Sequence, residues 1–497
     1  MANVFRTFRR TRNDETRING LPSELLALIL RHTEPTVLHT LRLSHVCEHW
    51  RSVVHADPTL WSHVELSGNA QCAVEVVDAL LAHTNHATPL DLTLELEAGH
   101  PDLENLGRLV SDHLPHLASL RVTADSTSLR KLQAALVLPA PTLRTLELHD
   151  TDERSVALVH PDIFARTVPM LEELVLDNVV PRVWTHFLFA APSLGELTLA
   201  GSMLMPSTFD LAQCIAVAPK LRRLCLDNCT VRPFPAHPED DGPWQAKELE
   251  SVTLTGQEES TIRHILDHLD VKALGELEVT PAPLSTLVNV LDSLPTPVIA
   301  LALEASTGLQ TIAVRVVGSV PSSSTTEEPD TEEQEPPIRT GTVPSTSGVP
   351  SVLLFHELRN RTASVTHLYI SYELWPHLLS LSFPALQVLL LAYTAIPPPA
   401  YQLSLFLSAG ATQQQQLHAP ALQSLILTVP ERSAIRVGTL AHLLQNAVKT
   451  DKGRLDELVL VNVYAEEESG SSEALVALCE FTSKLLFVPT LPLRLQV

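Results

Sequence analysis

One spaced pattern of apolar positions, P-x-L-x-x-L-x-L, returns along most of this chain. It reads Pro141, Leu143, Leu146, Leu148, then Pro169, Leu171, Leu174, Leu176. It returns as Pro192, Leu194, Leu197, Leu199 and as Pro219, Leu221, Leu224, Leu226. Looser copies begin at Leu117, Leu249, Leu274 and Leu309, and later at Val365, Leu386, Leu422 and Leu455. From Leu117 to Leu274 successive copies start 23 to 28 residues apart, a steady period that marks a repeat architecture. The L-x-L core predicts a strand with both leucines on one face. Leu90-Asp91-Leu92-Thr93-Leu94 reads as the first strand of the series. Between copies lie helical spacings such as Ile262, Ile265, Leu266, Leu269 and Leu284, Leu287, Leu291, Leu294. One strand and one helix cannot bury their own apolar face, so neighbouring units must stack. The expected fold class is therefore α/β: a solenoid with a curved parallel sheet and helices on its outer face. The x positions of L-x-L point away from the leucines, which makes Glu147, Val175, Thr198, Cys225 and Thr253 the candidates to face a partner.

The amino end follows a helical period instead, over residues 18–64. Leu21-Pro22-Ser23-Glu24 starts a helix carrying Leu25, Leu28 and Ile29 on one stripe. Pro35 separates it from a second apolar face at Val37, Leu38 and Leu41. Val46, Trp50 and Val53, at i, i+4 and i+7, predict a third helix, closed by Asp57-Pro58 and Leu60-Trp61. The order Leu-Pro-x-Glu-Leu at 21–25, Ile29-Leu30, Leu38-x-x-Leu41, Val46-Cys47-x-x-Trp50-Arg51 and Leu60-Trp61 resembles an F-box. It departs at His32-Thr33, where many members place an apolar residue at the end of the first helix. The repeats resemble the divergent leucine-rich-repeat tails of F-box proteins abundant in mushroom-forming fungi. Leu221-x-x-Leu224-x-Leu226-x-x-Cys229 meets the repeat consensus in full.

The resemblance implies a substrate receptor of a Skp–cullin–F-box ubiquitin ligase. It assigns Leu21, Pro22, Glu24, Leu25 and Ile29 to a Skp-type adaptor, with Val46, Cys47 and Trp50 divided between core and interface. Cullin and RING subunits would join through the adaptor, and the repeats would hold a substrate protein. No residue would perform chemistry itself. The alternative is a leucine-rich scaffold or inhibitor that binds a partner without promoting ubiquitination.

Composition divides the chain further. Residues 1–17 carry five arginines and read as a disordered basic tail. Residues 318–350 are rich in Ser, Thr, Pro and Glu, read as a disordered acidic linker, and separate a first repeat segment (65–317) from a second (351–497). Residues 411–417 read as a surface loop, and Leu493–Val497 as a last strand. The net charge of −23 argues against a nucleic-acid partner. No apolar run reaches the roughly 20 residues of a membrane span, so the expected location is cytoplasmic or nuclear, with no membrane partner.

Candidate chemistry is sparse. His264 and His268 have a metal-compatible spacing on a helix but no accompanying glutamate, and they read as a solvated face, as do His45 and His49. Asp177-Asn178 and Asp227-Asn228 follow their strands as turn formers. No phosphate-binding loop or nucleophile motif occurs, so no cofactor, metal or catalytic residue is expected.

Overall fold

The computed structural model describes residues 16–318 and 336–488. Within these it omits 34–35, 68–73, 76–77, 80, 85–86, 101, 153–154, 161, 182–190, 202–205, 230, 232–243, 245, 283, 295–296, 306–310, 345–348, 380, 393–415, 437–439, 441–443, 445–447, 452, 467–475 and 477. The basic tail before Thr16, most of the 411–417 loop and the strand expected at Leu493–Val497 lie outside the described residues. Two compact units form, one up to Leu249 with Asp267–Leu269, the other over Glu250–Leu266 and Asp270–Val497.

The first unit opens with three short helices, α1 (Ser23–Arg31), α2 (Val37–Ser44) and α3 (Glu48–Ala56), closed by a 3-10 turn over Pro58–Trp61. Strands and helices then alternate: β1 (His63–Ser67), β2 (Leu90–Glu95), α4 (Leu103–His113), β3 (Leu117–Ala124), α5 (Ser126–Gln133) and β4 (Thr145–Asp150). β5 (Ala157–Val159), β6 (Glu173–Asp177), β7 (Val179–Pro181), β8 (Glu196–Ala200), α6 (Thr208–Val217) and β9 (Arg223–Asp227) follow. β1, β2, β3, β4, β6, β8 and β9 pair in that order, all parallel. β5 and β7 form a separate small parallel pair.

Register explains the leucine period. Leu92, Leu120, Leu146, Leu174, Leu197 and Leu224 are successive partners across the sheet. All are buried, and Leu106, Val110, Leu129 and Leu132 of the helices are buried as well. Each such leucine contributes about 1.5–3 kcal/mol by leaving water. Strand exits are turned by Asn178 (φ 53°) and Asn228 (φ 49°), the left-handed positions expected of the Asp-Asn pairs.

The second unit runs β10 (Ser251–Thr255), α7 (Glu259–His268), β11 (Glu276–Thr280), α8 (Leu284–Asp292), β12 (Val298–Ala305), β13 (Thr311–Gly318), β14 (Ile338–Pro344), α9 (Val349–Leu358) and β15 (His367–Ser371). α10 (Trp375–Leu378), β16 (Val388–Ala392), β17 (Leu417–His418), β18 (Ser424–Arg436), β19 (Val448–Lys449), β20 (Glu457–Glu466) and β21 (Leu485–Val488) complete it. β12, β15, β16, β18, β20 and β21 form a parallel run, and β10 pairs parallel to β11. β17 and β19 form a two-residue parallel bridge of their own.

Two expectations are corrected between β11 and β15. The weak copy beginning at Leu309 is not a further parallel repeat, because its strand β13 runs antiparallel to both β12 and β14. Ile338–Pro344, assigned to the acidic linker, is strand β14, parallel to β11. Its β-prone Ile338, Thr340, Thr342 and Val343 begin after the acidic run has ended at Glu335. The Gly318 amide donates to the Pro337 carbonyl at 2.8 Å, so the acidic stretch leaves and re-enters one hairpin. It does not join the two compact units.

Arg339 fixes this insertion. Its side chain is fully buried. Nε donates to Ser293 Oγ at 3.1 Å, Nη1 to the carbonyls of Ile338 (2.9 Å) and Gly275 (3.4 Å), and Nη2 to those of Val271 (2.8 Å) and Leu274 (3.1 Å). All five guanidinium donors are thereby used. Burial pulls its pKa down to about 10, which leaves it charged at neutral pH.

Candidate functional site

The amino-terminal block closes its core with few residues. Leu26 and Leu30 of α1, Val37 of α2, Val53 and Val54 of α3, and Leu60 and Trp61 are buried. Polar groups pin the same junctions. Thr40 Oγ1 donates to the Leu60 carbonyl at 2.7 Å, and Trp61 Nε1 to the Val54 carbonyl at 2.9 Å. Arg31 Nε donates to Asp57 Oδ2 at 2.7 Å, and Asp57 Oδ1 accepts from the Thr59 amide and hydroxyl. Burial pushes the Asp57 pKa up, but the hydrogen bonds from Arg31 and Thr59 outweigh it and hold the group below the usual carboxylate range. Trp50 Nε1 donates to Asn19 Oδ1 at 2.6 Å, which ties α3 to the 3-10 turn at Arg17–Gly20.

The apolar stripe anticipated on α1 faces outward. Leu25, Leu28 and Ile29, with Leu38 of α2 and Val46 before α3, are 44 to 55 % exposed. Pro22 and Glu24 are exposed too, while Leu21, Cys47 and Trp50 are half-buried. Val46 lies outside the third helix, because the Cys47 Sγ caps it by accepting from the Trp50 amide. The domain thus closes its core with other residues and leaves these five large apolar side chains in water. Residues 18–67 match the F-box-like family model.

The amino-terminal block is an F-box-like domain. Such F-boxes characterise substrate-recognition subunits of Skp–cullin–F-box ubiquitin ligases, which are adaptors and not enzymes. No curated protein is matched by the chain. Of the adaptor-facing residues anticipated from sequence, the F-box exposes Pro22, Glu24, Leu25, Ile29 and Val46 and half-buries the other three. Leu28 and Leu38, equally exposed, were missed as surface positions, because helical spacing alone does not say what covers a stripe. Among the described residues no group of three His, Cys, Asp or Glu side chains could hold a metal, and no helix is long and apolar enough to cross a membrane.

The sheet that follows the F-box carries the second set of candidates. Glu147, Val175, Thr198 and Cys225 are consecutive partners in one row. Thr253, in the other unit, pairs with Glu278. Arg121 extends the row on β3 and donates from Nε to Glu147 Oε1 at 2.7 Å. On the row toward the strand ends, His149 lies 3.4 Å from Asp177 and 3.7 Å from Glu147. Arg223 pairs with Glu196 on the opposite row. These flanking carboxylates escaped a reading centred on L-x-L, since they sit one position outside it.

Proposed function

We propose that this chain is a substrate receptor of a Skp–cullin–F-box ubiquitin ligase. Its F-box docks a Skp-type adaptor, and its repeat sheet holds a client protein. The observation that carries this reading is the F-box-like domain at residues 18–67, which leaves Leu25, Leu28, Ile29, Leu38 and Val46 exposed while its core closes with others. Leu21, Pro22, Glu24, Leu25, Ile29, Val46, Cys47 and Trp50 take part in the adaptor contact, and Glu147, Val175, Thr198, Cys225 and Thr253 face the client. The ligase would gain rate by holding a client lysine beside the ubiquitin thioester, which makes transfer effectively intramolecular.

Capture on immobilised Skp-type adaptor tests this. The wild-type chain should bind. The double variant Leu25→Asp, Ile29→Asp should bind at least about tenfold more weakly, since apolar anchors dominate such contacts. Both positions are half in water already, so the variant should keep its circular dichroism. A wild-type chain that ignores the adaptor, or a double variant that binds unchanged, would refute the reading.

A further inference from the structure

One contact between the F-box and the chain that follows it is a group of three rings. His55 lies in the last turn of α3, Trp61 ends the closing 3-10 turn, and His83 belongs to the segment that leads into β2. The His55 and Trp61 rings stack with centroids 5.5 Å apart and planes 23° from parallel. His83 completes the group, 4.8 Å from His55 and 4.9 Å from Trp61. Trp61 is fully buried, whereas both histidines are exposed, so the two imidazoles roof the indole.

The backbone holds all three in place. Trp61 Nε1 donates to the Val54 carbonyl at 2.9 Å, one residue before His55. Leu81 is buried, and the Thr84 amide and hydroxyl close a turn on its carbonyl at 2.9 and 2.7 Å, which presents His83 beside α3. Either imidazole can swing out only by giving up its packing on Trp61.

A single imidazolium is accepted in such a group, because an aromatic face attracts a cation. A second one 4.8 Å from the first is repelled. Arg51, one turn before His55 on α3, adds a further positive charge. His55 is exposed as a residue, yet the ring leaning on Trp61 loses part of its water. That loss, then His83, then Arg51 hold its pKa below the ordinary histidine value. The carboxyl end of α3 alone would favour a cation there. Asp57, two residues on, is already taken by Arg31 and Thr59.

We propose that His55 and His83 form a pH-sensitive latch between the F-box and the repeat segment, closed while at most one imidazole is charged and released when both are. The sign follows from the protons. An opened pair charges near the ordinary histidine value of about 6.5, whereas the closed pair charges fully only below it. Closure is therefore fully present above about pH 6.5 and is lost as pH falls further. The latch goes beyond the substrate-receptor reading and does not depend on it.

Hydrogen–deuterium exchange of the full-length chain, corrected for intrinsic rates, tests this at about pH 7.5 and about pH 5.5. Protection of α3 and of Leu81–Thr84 should fall at least about fivefold at the lower pH, while β4 stays within about twofold. His83→Phe and His55→Phe keep a ring on Trp61 but cannot charge, so each should remove that fall. His83→Gln, at an exposed position, should remove it as well. His39→Gln, exposed on α2, should respond like the wild type. Unchanged protection in the wild type, an equal fall in β4, or a wild-type fall in the Phe variants would overturn the proposal. So would loss of the response in His39→Gln.

Discussion

Asp57 shows what single side chains do in the F-box. It caps the Pro58–Trp61 turn through the Thr59 amide and receives Arg31 from α1, so one carboxylate joins the first helix to the closing turn. Its pKa is lowered in the folded protein. A lowered carboxylate contributes stability that is present above the unfolded pKa of about 3.9 and is lost as pH falls through the folded value. F-box stability should therefore decline below about pH 4. Asp57→Asn should cost about 1–3 kcal/mol at neutral pH and flatten that acid limb. Urea titrations at a series of pH values, followed by Trp fluorescence, check both; an unchanged acid limb in Asp57→Asn would refute the assignment. At this scale the sequence is legible where chemistry is local. The Asn178 and Asn228 turns follow from side chains suited to left-handed backbone. Burial is less legible. Leu25 and Leu26 are neighbours of one type, yet one is half in water and the other fully buried, and that difference is set by helices distant in sequence.

Among elements, the inserted strands β13 and β14 are the least regular part of the second unit. β14 comes closest to its neighbours at Gly341. A Cβ there would lie 2.7 Å from Leu287 Cδ1 and 2.9 Å from the Val279 carbonyl oxygen. Gly341→Ala should cost about 1–3 kcal/mol through overpacking. Arg339→Ala should cost more, about 3–5 kcal/mol, because it strands buried carbonyls of Val271, Leu274 and Gly275. Thermal unfolding ranks the two variants; a tolerated Arg339→Ala would show that water replaces the guanidinium. Neither change should affect adaptor capture, since the F-box lies in the other unit. The parallel strands were readable as elements because L-x-L recurs with one burial pattern. The insertion was not, for a physical reason. Alternation has a period of two in either direction, so Ile312 and Val314 read as a strand without revealing that it runs backward. The acidic run masked β14 in the same way, since composition averaged over 318–350 hides seven residues that differ from their surroundings.

For the whole molecule, charge is the property the sequence states most directly. A chain of net charge −23 and isoelectric point near 5.3 repels its own copies at neutral pH and loses that protection as pH falls. Light scattering should show self-association rising between about pH 6 and the isoelectric point, and an unchanged signal across that range would contradict it. The F-box-like domain was legible from the motif at one end, and the parallel strands of the sheet from the period that follows. The distribution of acid over one sheet face was not, because it depends on register: Glu173, Asp177 and Asp227 become a surface only when β6, β8 and β9 are set side by side.

The hairpin closure at Gly318 and Pro337 bears on how the protein can be handled at the bench. Its two ends are fixed one hydrogen bond apart, so chain spliced between them begins and finishes at the same spot. Each doubling of such a segment costs only about 0.6 kcal/mol in closure entropy. An affinity tag or a small fluorescent module can be housed there while β13 and β14 keep their pairing.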